Sequence, residues 1–174
     1  MKVDVTRIIL GDVTVKDGKI IATDPCYQPN GRFVCIVNIK PGNYTGRAVY
    51  GDAGYGWGER VWELTMNHES TPKKKATTFI GCCAVDSGQC GFFDLDDYKK
   101  FHPEKDTEES EKWYRTACDI TCNDAEHCVG LMRSLNDEIV GIVSESGIGD
   151  GMYNLYAGYN NRGEITALRL RFLE

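Results

Sequence analysis

Over long stretches of this 174-residue chain the apolar side chains fall on every second position. That spacing belongs to strands with one buried and one wet face. The clearest case is near the C-terminus, where Tyr153, Leu155, Ala157 and Tyr159 alternate and Leu168, Leu170 and Phe172 resume after Asn160-Asn161-Arg162-Gly163, with Arg169 and Arg171 between them. Asn and Gly accept positive φ at little cost, so this stretch predicts a hairpin. Residues 2–10 predict a first strand. Residues 12–16 and 19–23 flank Asp17-Gly18 and predict a further hairpin, an Asp-Gly pair between alternating runs being a strong turn signal.

The strand pattern continues through the first half of the chain. Pro25 in Asp24-Pro25-Cys26-Tyr27 removes a donor and ends the preceding strand. Residues 32–39 form the next strand and Lys40-Pro41-Gly42-Asn43 turns it. Residues 44–50 and 60–66 then pair around a glycine-rich tip, and residues 76–85 are turned by residues 86–91 into Phe92-Phe93-Asp94.

Only after that does the period change. Tyr98 and Phe101 have helical spacing within residues 95–101, which His102-Pro103 closes, and residues 104–111 are charged enough to read as a solvated loop. Trp113, Ala117 and Ile120 stand about a turn apart and predict an amphipathic helix over residues 113–122, with Asn123-Asp124 ending it or capping a following turn. Residues 138–143 return to strand. The expectation is a single domain, mainly β: an antiparallel β-sandwich or partly closed barrel with a short helical insertion over about residues 95–130.

Composition narrows the function classes. A net charge of -6 argues against a sequence-independent grip on nucleic acid, which needs a basic face. No run approaches the roughly 20 apolar residues of a membrane span and the start lacks a secretory pattern, so the expected setting is cytoplasmic, with no membrane partner. The eight cysteines (Cys26, Cys35, Cys82, Cys83, Cys90, Cys118, Cys122, Cys128) are expected as reduced, mainly packed thiols. The three histidines, His68, His102 and His127, sit in polar stretches and are expected to be exposed.

Three constellations carry candidate chemistry. Gly54-Tyr55-Gly56-Trp57-Gly58 lies between two strands rather than before a helix, which makes it a hairpin tip and not a phosphate cradle. Its aromatics either anchor a partner or fold back over the sheet edge. Asp24, Asp86, Asp94 and Asp150 stand at strand ends, where they cap neighbouring amides or, if they meet, hold a cation or work as an acid/base pair. Cys118, Cys122, His127 and Cys128 supply enough ligands for zinc, but at no specific zinc spacing, and Cys26 is the best-placed thiol for nucleophilic work.

Asp24-Pro25-Cys26-Tyr27, the run from Val85 through Asp86, Gln89 and Gly91 to Asp94, Trp113-Tyr114 with Cys118-Asp119, and Ser146-Gly147-Ile148-Gly149-Asp150-Gly151-Met152-Tyr153 together resemble a bacterial and bacteriophage family akin to domain of unknown function 4241. The resemblance covers most of the chain and transfers no catalytic residue. It implies an accessory role such as binding a host protein or sequestering a signalling molecule.

The sequence thus ranks a non-enzymatic binding domain first. Its contacts to a small, nucleotide-like ligand or a host protein are expected from Tyr55, Trp57, Asp86, Gln89, Asp150 and Tyr153, in loops at one end of the β-structure, without a cofactor. A metal-assisted hydrolase built on Asp24, Asp86, Asp94 and Asp150 ranks second, and a protein inhibitor acting through the acidic insertion at residues 104–111 third. A homo-oligomer is compatible with each.

Overall fold

The computed structural model describes residues 5–122 and 126–174. The first residues of the expected opening strand and the Asn123-Asp124 helix end lie outside them. Two antiparallel sheets pack face to face, with two short helices on the outer face of one sheet. Its strands and helices are β1 (Val5–Val15), β2 (Lys19–Thr23), β3 (Cys35–Asn38), β4 (Gly42–Asp52), β5 (Glu59–His68), β6 (Thr78–Val85), β7 (Gln89–Asp94), α1 (Leu95–Phe101), α2 (Glu108–Thr121), β8 (Val129–Arg133), β9 (Ile139–Glu145), β10 (Gly151–Tyr159) and β11 (Ile165–Arg171). A short turn, Glu126–Cys128, with His127 and Cys128 at positive φ, precedes β8. The first sheet runs β1-β4-β5-β11-β10-β6 and the second β3-β2-β7-β9-β8. This is the expected antiparallel sandwich, and neither sheet closes into a barrel. None of the described helices is long and apolar enough to cross a membrane.

The alternating face of β10 and β11 enters the space between the sheets, where Leu155, Ala157, Leu168, Leu170 and Phe172 meet Ile20, Phe92 and Ile142. A second core fills the space between the second sheet and the helices, with Ile21, Phe93 and Val143 against Tyr98, Trp113 and Ala117. Burying a side chain of this size contributes roughly 1.5–3 kcal/mol, so these two layers carry most of the fold.

Several expectations change. Asp17-Gly18 does reverse the chain, but β1 pairs with β4 whereas β2 pairs with β3 and β7, so the turn joins two sheets and makes no hairpin. Residues 86–88 do the same between β6 and β7. Within the described residues the two runs, expected at residues 2–10 and 12–16, join into one strand, β1 (Val5–Val15), with a register shift between Ile9 and Gly11. The charged run at residues 104–111 is only half loop. Thr107 caps α2, accepting from the Ser110 N–H at 3.1 Å, while Ser110 Oγ accepts from the Thr107 N–H at 3.1 Å, and Glu108, Glu109 and Glu111 favour the positive end of the helix dipole. His68 is buried rather than exposed, edge-on to Tyr44 at 5.1 Å, with Nδ1 2.7 Å from Ser70 Oγ.

Candidate functional site

Strand direction places five connections at one end of the sandwich. They are the segment after β2 (Asp24 to Tyr27), the β4–β5 tip at residues 53–58, the β6–β7 turn, the β9–β10 loop at residues 146–150 and the start of β8. Three of the four motifs that carry the family resemblance, far apart in the chain, therefore share this end, and the fourth reaches it from α2 through Trp113.

Asp24 organises the meeting. Its side chain is fully buried and accepts four hydrogen bonds: from the Cys26 N–H at 2.8 Å and the Ser87 hydroxyl at 2.8 Å on Oδ1, and from the Asp86 N–H at 2.9 Å and the Ser87 N–H at 2.8 Å on Oδ2. The β6–β7 turn is tied in the same way to the β9–β10 loop. Gly88 N–H donates to Asp150 Oδ1 at 2.9 Å, and Ser146 N–H donates to the Gly88 carbonyl at 2.9 Å. From the other side α1 and α2 hold the segment after Asp24, with the Trp113 indole N–H on the Pro25 carbonyl at 2.8 Å and the Tyr98 hydroxyl on the Tyr27 carbonyl at 2.7 Å. The loops are a braced frame, the arrangement a binding site requires.

Cys26, Gln28, His102, Trp113 and Tyr114 line a recess of about 160 Å3 within this frame. Although Cys26 is exposed as a residue, partial desolvation of its sulphur, aided by the Asp24 carboxylate, pushes the thiol up to about 12, so it is protonated at neutral pH and a poor nucleophile. His102 does not serve it as a base, because Nε2 faces the Pro25 carbonyl and Nδ1 the Pro103 carbonyl, each at 3.0 Å. Both nitrogens donate only in the imidazolium form, and burial opposes that charge, lowering the His102 pKa against the pull of the two carbonyls.

A pH dependence follows. The unfolded chain takes up a proton on this imidazole near its ordinary pKa of about 6.5, before the folded chain does, so stability falls as pH drops through that range. Urea unfolding at a series of pH values is expected to show this fall in the native chain and a flatter profile in His102→Gln. Equal slopes would assign the dependence to another group.

The candidate residues divide. Asp86 and Asp150 are exposed beside the Asp24 frame. Gln89, 3% exposed, lies beneath it, donating from Nε2 to Cys118 Sγ at 3.3 Å while its Oε1 is buried without a partner. Tyr153 belongs to the core, its ring edge-on to Phe172 at 5.2 Å and its hydroxyl on the Gly149 carbonyl, so it braces the loop from within and offers no exposed contact. Tyr55 and Trp57 share the end but stand across β11 and β10 from the frame, since β5 is three strand spacings, ~14 Å, from β6. Asp94 is at the opposite end of β7, where it caps α1 through the Asp97 N–H and accepts from the Lys16 N–H. Three of the four aspartates therefore share the loop end while Asp94 does not, and Asp24 spends its carboxylate on the frame. Among the described residues, no three His, Cys, Asp or Glu side chains are grouped to hold a metal ion, Cys118 and Cys122 included.

The tip itself is ordered by its own backbone. Ala53 N–H donates to the Gly58 carbonyl at 2.8 Å, Trp57 N–H to the Gly54 carbonyl at 3.0 Å and Gly54 N–H to Asp52 Oδ1 at 2.9 Å. Tyr55 takes a φ of 52° and its ring is wholly in solvent, and Trp57 is 50% exposed. Of the two readings of these aromatics, folding back over the sheet edge is excluded for Tyr55.

Sequence reasoning missed the residues that build the frame, Ser87, Tyr98 and Trp113, because their partners lie 63 to 88 positions away. The one available signal was that Trp113 and Tyr98, both with a polar handle, sit in the helical insertion where a buried N–H or O–H must find an acceptor. No curated protein and no solved structure matches the chain. The family model described as a protein of unknown function (DUF4241) matches residues 59–170, more than half of the chain and three of the four motif segments, and the chain belongs to that family.

Proposed function

We propose that the chain is a non-enzymatic binding domain that engages a protein partner through the β4–β5 tip, with Tyr55 and Trp57 as the anchors. One observation carries this reading: a hydrogen-bonded tip holds Tyr55 in the left-handed region, at φ 52°, with its ring fully exposed. A non-glycine residue at positive φ costs ~1–2 kcal/mol, and the fully exposed ring gains no packing among the described residues from the placement. Exposed Tyr and Trp on an ordered loop are the residue types that dominate protein interfaces. A partner favours this reading over a small ligand at the same end, because the recess beside Cys26 holds about 160 Å3 against the roughly 300–1,000 Å3 of drug-sized sites. Hydrolysis through the strand-end aspartates is the weaker reading, because Asp24 is engaged in four hydrogen bonds and Asp94 lies at the opposite end, and the acidic first turn of α2 suits the helix dipole.

The test uses the full chain as bait, identifies the captured protein by mass spectrometry and titrates the purified pair. Tyr55→Ala and Trp57→Ala are each expected to weaken binding by about 30-fold or more, as hot-spot truncation does. Their melting temperatures should stay within about 2 °C of the parent, since the removed rings are exposed. Unchanged affinity in both variants would move the partner site off the tip.

A further inference from the structure

We infer that the outer face of the first sheet carries an anion site for a ligand bearing a chain of linked phosphate groups. This site is separate from the loop end and independent of the partner reading. Between the strands and the segment at residues 73–75 lies a cleft of about 370 Å3, lined by six cations, Arg7, Arg47, Lys73, Lys74, Lys75 and Arg169, and by one carboxylate, Glu63. In a chain of net charge -6 this is a strong local reversal of sign. Glu63 is committed to Arg169, at 3.1 Å. Among the described residues no carboxylate lies within ion-pairing distance of the other five.

The cleft is built, not a chance drift of surface lysines. Register puts Arg47 of β4 and Arg169 of β11 on either side of Thr65 of β5, all on the face turned away from the core. The lysine segment is seated over that face: Asn67 Nδ2 donates to the Lys74 carbonyl at 2.7 Å, and Thr77 N–H donates to the Ala157 carbonyl at 3.1 Å. At Gly158 a Cβ would stand 2.4 Å from the Lys75 carbonyl oxygen, so only glycine lets the lysine main chain lie directly on β10. Arg169 is held flat, its guanidinium 4.6 Å from the centre of the Tyr156 ring, and its Nε is buried with no partner. An oriented guanidinium with a donor to spare is the group that takes phosphate oxygens in a fork.

Charge sets the ligand class. A single phosphate carries about two negative charges at neutral pH and would leave most of the five cations unmatched, whereas three linked phosphates come close to matching them. The neighbouring Phe79, 57% exposed and edge-on to Tyr156 at 6.1 Å, offers a ring beside the cleft to a ligand that also carries a base.

The experiment is isothermal titration of the full chain with sodium tripolyphosphate and, separately, with a nucleoside triphosphate, at low and at high salt. Binding that weakens with salt is expected, with Arg47→Gln and Lys74→Gln each raising Kd about tenfold while Lys112→Gln on α2 leaves it unchanged. Circular dichroism melts confirm that the variants are folded. Equal affinity for both probes identifies the phosphate chain alone as the determinant. Tighter binding of the nucleoside triphosphate, reduced to the tripolyphosphate value by Phe79→Ala, identifies a nucleotide. The proposal is overturned by no binding at low salt, by equal losses in Lys112→Gln, or by single-stranded RNA outcompeting both probes.

Discussion

Replacing Asp24 by alanine is expected to cost about 4 kcal/mol of folding stability, because three main-chain N–H groups and a hydroxyl lose a buried acceptor together. Hydrogen bonds to a charged acceptor are each worth roughly 1.5–3 kcal/mol but are not additive within one network, so the total lies well below four times that figure. Asp24→Asn separates the contributions. The Ser87 hydroxyl is able to turn and accept, so an amide placed with its nitrogen toward Ser87 leaves only the Cys26 N–H facing a donor. About 2 kcal/mol is expected for this variant. Urea unfolding at neutral pH measures both, and the alanine variant should melt about 8–16 °C lower at the 2–4 °C per kcal/mol usual for a chain of this length. A loss under about 1 kcal/mol in Asp24→Ala would mean that water replaces the carboxylate and that the loop frame does not depend on it.

Asp24 also shows how far the site could be read from sequence. An aspartate that ends a strand before proline is expected to cap amides, and its bond to the Cys26 N–H two residues on is that local chemistry. Its other donors come from Asp86 and Ser87, more than sixty positions away, and no spacing rule reaches them. The motifs that carry the family resemblance did mark the right segments, since three of the four share one end of the sandwich and the fourth reaches it through Trp113. They did not say which side chains face out. Tyr153 and Gln89 occupy the glycine-rich motifs yet lie beneath the loops, whereas Tyr55 and Trp57 stand clear of them.

The fold was legible where one face of a long strand is wet. β10 follows its alternation from Tyr153 to Ala157 and β11 from Leu168 to Arg171, whereas Tyr159, past a register shift at Gly158, is exposed instead of continuing the buried face, and α1 has the bounds that Tyr98, Phe101 and Pro103 imply. The second sheet was harder. It is covered by the first sheet on one face and by the helices on the other, so all six residues of β7 are buried and period two disappears. For the same reason the start of β7 was absorbed into a turn; β8, a five-residue edge strand with only Val129 and Met132 buried, was too short to be read as a strand. Pairing was the other gap. Asp17-Gly18 and residues 86–88 reverse the chain as their composition demands, but a turn states a change of direction, not whether the next strand joins the same sheet.

The central pairing of that doubly covered sheet makes the second strong prediction. A Cβ on Gly141 of β9 would stand 2.2 Å from the Phe92 carbonyl oxygen and 2.5 Å from Phe93 Cδ1, and one on Gly91 of β7 would stand 2.3 Å from the Ile142 carbonyl oxygen and 2.7 Å from Phe93 Cζ. The Phe93 ring thus lies across two glycines on adjacent strands, and from there it meets Tyr98 of α1 at 4.9 Å between ring centres. Gly141→Ala is expected to cost about 3 kcal/mol, the upper part of the range for overpacking, because the nearest atom is main chain and cannot rotate away. Phe93→Leu removes the ring, gives a Cβ at position 141 more room and by itself costs about 1.5 kcal/mol, since most of the buried volume is kept. If the carbonyl clash dominates, the double variant loses close to the sum of the two, measured by urea unfolding. A double variant no less stable than Gly141→Ala alone would instead assign the constraint to the aromatic ring. The first outcome is expected, because replacing the ring removes the contact with Cδ1 but leaves the Phe92 carbonyl oxygen in the β7–β9 ladder, where hydrogen bonding fixes it.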